Sequence, residues 1–361
     1  GEEFKPLRFG RKPLRLALVA AFIALLGSAG VSALVTKRSL HTPWPHGHGD
    51  QVVTVPRGMT ANQVRTQLQE QSILPDSLVI RLWFNLKTST NTLKAGDYLF
   101  ESPITPVRVL DKLIRGEIHY ESITFPEGLT RFEVAQLIQT LKIKNAEKSL
   151  ELTEHPELLS LIRDLDPEAS TLEGYLFPDT YQYVSTSTAN QLIANMVRRF
   201  REVFTPAHRQ RAEEQHLEAR QVVTLASLIE REARLKEERP LISSVFHNRL
   251  RLGMKLDCDP TVVYASILAG KWTGTIRQSD LQRDSPYNTY LYTGLPPGPI
   301  ASPGRASIEA ALYPTPTDHL YFVVDATRDD GAHRFSAQWR QHQANVARYR
   351  LAQRQQSQSE K

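Results

Sequence analysis

Residues 16–35 run for 20 positions without a charge, and no other feature limits what this chain can become so strongly. As a helix, a run of about 20 apolar residues crosses a hydrocarbon core. Lys5, Arg8, Arg11, Lys12 and Arg15 precede it, and Lys37 and Arg38 follow. That bias predicts an N-terminus kept in the cytoplasm and residues 36–361 outside. The competing expectation is a cleaved signal peptide, because Val31-Ser32-Ala33 resembles a small-residue cleavage site. The run is longer than an ordinary signal core, which favours a retained anchor.

The charge map follows from the same terminus. The chain carries a formal +5 and a pI near 9.2, values that invite a nucleic-acid reading. Up to residue 38, however, the seven basic residues just named face only Glu2 and Glu3. The excess therefore belongs to the anchor's flanks, the rest of the chain is balanced, and no basic face for nucleic acid is expected. Cys258 is the only cysteine, so an internal disulfide is excluded and no zinc spacing exists. His41, His46 and His48 fall in a Pro/Gly-rich stretch and read as part of a solvated spacer. Neither a metal nor a cofactor is expected.

Residues 36–50 read as a linker. An internal repeat follows. Val53-Thr54-Val55-Pro56-Arg57-Gly58-Met59-Thr60 returns 70 positions later as Ile123-Thr124-Phe125-Pro126-Glu127-Gly128-Leu129-Thr130. Each copy reads as a short strand ending at Pro, a turn at Gly, and Thr capping an amphipathic helix. Between the copies, residues 78–86 read as helix or strand, 95–100 as a return strand, and 106–114 as a helix stopped at Gly116. This strand–helix–helix–strand unit at 51–118 resembles the LysM-like domains that bind cell-wall glycans. A structural module without a ligand has the same pattern.

Residues 119–350 read as a larger, helix-rich domain that includes the second, partial repeat at 122–148. Helical apolar spacing marks 188–204, 221–235 and 240–252. Residues 319–324 read as a buried strand, 338–350 as a closing helix and 351–361 as a flexible tail. Strands and helices segregate, so the fold class is α+β, behind a transmembrane helix.

No Walker loop, dinucleotide fingerprint, nucleophile elbow or zincin helix is present. What remains is rich in carboxylates and aromatics within loops, a composition that suits carbohydrate chemistry. Four segments stand out: 172–181, with Glu173 and Asp179; 225–233, with Glu230 and Glu232; 258–264, with Asp259 and Thr261; and 287–304, with Tyr287, Asn288 and Tyr290. On a helix, Glu230 and Glu232 point about 200° apart, so they cannot flank one bond. Periodicity does not say which faces a cleft. Asp259 is the nearest candidate for a second carboxylate.

In this order and behind this anchor, the four segments resemble the endolytic murein transglycosylases, the YceG-like family. The resemblance covers nearly the whole chain. It implies cleavage between N-acetylmuramic acid and N-acetylglucosamine within peptidoglycan strands, leaving 1,6-anhydromuramyl ends. It places the catalytic acid at Glu230 and cleft-lining residues at Glu173, Asp179, Asp259, Thr261, Tyr287, Asn288 and Tyr290. The acid is expected to keep its proton through burial against apolar helix neighbours. Implied partners are glycan strands, the cytoplasmic membrane and peptidoglycan synthases, with the catalytic domain in the periplasm. The sequence departs from the family at Asp257-Cys258, where Gln and then Ser or Thr are usual, and at His342-Gln343, where His-Asn is common. The competing functions are a hydrolase that activates water with a second carboxylate and a non-catalytic wall-binding scaffold.

Overall fold

The computed structural model describes residues 11–47 and 49–359; the basic tail before residue 11, His48 and the last two residues lie outside the described residues. The chain divides into two compact units. Unit 1 comprises residues up to 121 together with 184–186, and unit 2 comprises 122–183 and the residues from 187 onward.

Unit 1 begins with α1 (Arg11–His41), then β1 (Gln51–Val55), α2 (Ala61–Glu70), α3 (Leu78–Thr88), β2 (Gly96–Phe100) and α4 (Pro106–Arg115). Within α1, the most apolar 18-residue window of Leu18–His41 has a mean hydropathy of 2.3, and none of that window is buried. The helix therefore runs six residues past the expected span and shortens the expected linker. Strands β1 and β2 pair antiparallel, with Val53 opposite Tyr98. Their inward side chains meet Val64, Leu68, Phe84, Val109 and Leu113 in one small core. The repeat's cap is realised: the Thr60 hydroxyl accepts from the Gln63 amide, and the Gln63 side chain accepts from Thr60 N–H. Residues 78–86 resolve as helix. Gly116 ends α4 at φ 72°, a left-handed conformation that favours glycine.

Unit 2 contains β3 (Glu121–Thr124), α5 (Arg131–Gln139), the short α6 (Ser149–Leu152) and α7 (Pro156–Leu159), β4 (Thr180–Tyr183), α8 (Ala189–Val203) and α9 (Pro206–Glu214). It continues with α10 (Ala219–Glu232), α11 (Arg239–Arg251), α12 (Asp259–Leu268), α13 (Gln278–Leu281), α14 (Arg305–Leu312), β5 (Tyr321–Val324), β6 (His333–Ser336) and α15 (Trp339–Ser359). The fold is mixed α+β, its strands arranged as the pairs β1–β2, β3–β4 and β5–β6.

The core of unit 2 is organised by α10. Every residue from Val222 to Ile229 is buried, as expected of a helix surrounded by others. It packs against α14, α11 and α12. Its last turn carries Glu230 and Glu232. Two expectations change here. The strand near residue 320 is half-buried along its length rather than buried, because it belongs to a two-stranded sheet beside α15. The closing helix continues to Ser359, so the residues expected as a tail are helical as far as they are described.

Candidate active site

Glu230 and Glu232, two residues apart, meet different surroundings. The Glu230 side chain is 6% exposed and accepts from Arg239 Nη2 at 2.8 Å. Its other oxygen accepts from the Gly304 N–H at 3.0 Å. Arg239, itself 7% exposed, reaches Glu127 Oε2 at 3.3 Å as well. A Cβ at position 304 would lie 1.9 Å from the Glu127 carboxylate, so the Glu127 side chain would have to move to admit one. Glu230 is therefore an internal strut joining α10, the N-terminus of α11, the second repeat's turn and the 287–304 loop. A guanidinium and a backbone amide serve its two oxygens, and both are donors.

Glu232 is part-exposed at the end of α10. Desolvation, with the nearby Asp259 charge adding to it, pushes its carboxyl up to about 7. The Cys258 thiol hydrogen-bonds it, and Arg231 and Arg249 pull in the opposite direction. Glu232 thus has one thing that a proton donor at neutral pH needs, a proton held by its surroundings.

Asp259 stands exposed at the first turn of α12 and accepts from the Tyr290 hydroxyl at 2.7 Å. The Lys255 ammonium donates to the Tyr290 carbonyl at 2.9 Å. Asp257, at φ 48°, pairs with Arg249 at 3.1 Å. Cys258 is buried and its N–H donates to Thr289 Oγ1 at 3.0 Å. The departure at 257–258 thus places a thiol against Glu232 and an aspartate on Arg249. Glu232, Asp259 and Tyr290 share one face of unit 2 through these contacts. Tyr287 is half-buried, its ring 5.0 Å from that of Tyr264.

Several residues expected to touch a sugar are placed elsewhere. Glu173 is 3% exposed; it accepts from the Arg131 N–H at 3.1 Å and from the Tyr264 hydroxyl at 3.0 Å. Burial raises its carboxyl to about 7, against those donors, but it ties α5 to α12 inside the core. Thr261 is fully buried, donating to the Cys258 carbonyl and sharing a hydrogen bond with Thr289. Asn288 is fully buried too; its amide donates to the carbonyls of Leu281 and Arg283, and its oxygen accepts from Tyr290 N–H. These three shape the loops and have no surface for a ligand. Asp179 pairs with Arg199 of α8 at 2.8 Å. Desolvation opposes its charge, but the Thr180 N–H and Arg199 hold the carboxyl below its usual range. No contact joins it to the Glu232 group.

Sequence reasoning missed the Glu232–Cys258 contact; periodicity left the two glutamates undecided and the family resemblance placed the acid at Glu230. The signal was present but unreadable: both neighbours come from a turn 26 residues further on. Among the described residues no cluster of His, Cys, Asp and Glu could hold a metal ion.

The chain is similar to known proteins over most of its length. The model of the YceG-like family matches residues 53–348. An endolytic murein transglycosylase of Bacillus subtilis is 31% identical over 284 residues, covering 75% of this chain and 78% of that protein. One from Streptococcus pneumoniae is 30% identical over 322 residues, 82% of this chain but 58% of its own length. A crystal structure of a yceG-like protein from Listeria monocytogenes is 33% identical, with a TM-score of 0.55 over 82% of this chain and 99% of that one. With most of its length matched by the family model and by these relatives, the chain belongs to the YceG-like family.

Proposed function

We propose that this protein is a membrane-anchored lytic transglycosylase of peptidoglycan, acting within glycan strands, with Glu232 rather than Glu230 as its acid. The observation that carries this reading is the Glu232 carboxyl, which desolvation raises to about 7 beside Asp259. The protonated acid gives its proton to the glycosidic oxygen between N-acetylmuramic acid and N-acetylglucosamine as that bond breaks. Positive charge develops on the muramyl carbon, where the Asp259 carboxylate, held by Tyr290, opposes it. The Glu232 carboxylate then takes the proton of the same sugar's 6-hydroxyl, whose oxygen closes on the cationic carbon. No water is consumed and Glu232 ends protonated, ready for another turnover.

Mass spectrometry of sacculi digested by the purified chain tests the reaction. The expected muramyl ends are one water lighter than hydrolysis gives. A digest dominated by reducing muramyl ends would establish a hydrolase instead. We read unit 1 as a LysM-like module that holds the strand, supported by its strand–helix–helix–strand order; in the same incubation, a chain that stays out of the sacculus pellet would sink that reading.

The anchor reading rests on the apolar stretch Leu18–His41 and the basic residues ahead of it. It places the residues that follow α1 on the periplasmic side. A phosphatase reporter fused after residue 361 is expected to be active, and an active cytoplasmic reporter at that position would reverse the orientation.

A further inference from the structure

Unit 2 contains a cavity of about 430 Å³ that no step above uses. Phe132 and Trp272 supply its aromatic lining, Val263 and Ile267 its apolar lining, and Thr130, Glu133, Gln136 and Arg231 its polar groups. Arg131 stacks on Phe132, its guanidinium carbon 4.5 Å from the ring centroid. Arg231 is fixed by donating to the Gly128 carbonyl at 3.0 Å. The size and the mix of apolar lining with a few polar groups are those of a small-molecule site.

Its position ties it to the candidate active site. Asp259, Val263 and Ile267 are spaced four apart on α12, so they form a single stripe down one face of that helix. The stripe begins at the carboxylate beside Glu232 and ends in the cavity lining, about 12 Å further along the axis. On the other side, Arg231 lines the cavity and is the chain neighbour of Glu232. A linear ligand seated at Glu232 and Asp259 and following that stripe enters the cavity.

We propose that this cavity is a subsite for an N-acetylhexosamine unit of the glycan strand, away from the bond that is cut; this rests on the reading of the chain as a glycan-cleaving enzyme. The apolar face of a pyranose ring stacks on Trp272, as sugars do on flat aromatic rings. The acetamido methyl lies on Val263 and Ile267. Gln136 and Arg231 offer donors to hydroxyl and acetyl oxygens. Such a subsite adds binding that is equal in ground and transition states, so it governs affinity for the strand rather than the rate of bond breaking.

The test is Trp272→Ala in the full chain in detergent, with Trp272→Phe as the conservative companion. KM for strand cleavage is expected to rise roughly three- to tenfold in the Ala variant, with kcat and the pH profile unchanged and Phe restoring most of the loss. Calorimetric titration with chitotetraose, which carries no peptide, is expected to show the same weakening. If chitotetraose binds the Ala variant as tightly as the wild type, or only peptide-bearing strands bind in a Trp272-dependent way, the sugar subsite is wrong while the lytic reading stands. If wild-type digests carry reducing ends, the lytic reading falls and the subsite is judged by its titration alone.

Discussion

Glu232→Gln is expected to fold normally and to lose strand cleavage by roughly 10²–10⁴-fold. The amide keeps the volume and the ability to hydrogen-bond near Cys258, but it has no proton to give to the glycosidic oxygen and no basic form to receive one from the 6-hydroxyl. Both halves of the reaction fail together. The wild-type pH profile belongs to the same expectation. Desolvation and the Asp259 charge raise the carboxyl to about 7, so the acid is loaded below that value and empties above it. Cleavage should therefore fall about tenfold per pH unit on the alkaline side of about 7. A Gln variant that turns over at the wild-type rate, or a rate that climbs between pH 7 and 9, removes Glu232 from this role.

The choice between two glutamates on one helix also marks how far the sequence could be read. The uncharged run, the Thr60 and Thr130 caps, the strand–helix–helix–strand order and the helical segment holding both glutamates follow from local chemistry, which a one-dimensional pattern carries. A helical repeat also shows that Glu230 and Glu232 diverge. It does not show that Arg239 and Gly304 close around one, or that Cys258 and Asp259 lie beside the other, because those partners come from other elements. Polarity misleads for the same reason. Glu173, Thr261 and Asn288 look like cleft residues in a string of loop motifs, yet each satisfies its polar atoms inside unit 2, as buried polar groups must. Trp272, by contrast, sits in no motif, and its value depends on Phe132, far away in the chain.

Glu230→Gln is expected to produce the opposite pattern: a clear loss of stability with catalysis largely kept. Glu230 and Arg239 are both more than nine-tenths buried as side chains, and removing one partner from such a pair strands the other charge away from water. The remaining carboxylate, Glu127, is 44% exposed and 3.3 Å away, so it compensates only in part. A cost of about 3 kcal/mol follows, which for a unit of this size lowers the melting temperature by roughly 6–12 °C. Replacing both partners, as Glu230→Gln with Arg239→Met, is expected to recover part of that loss, because no lone charge is then left buried. Below the lowered melting temperature, kcat should stay within a few-fold of wild type if, as proposed, the strut supports the end of α10 and Glu232 is the acid. Thermal melts and strand-cleavage rates on the same preparations decide the matter. A Glu230→Gln chain that melts like wild type but no longer cuts would return the acid's role to Glu230 and leave Glu232 as its neighbour.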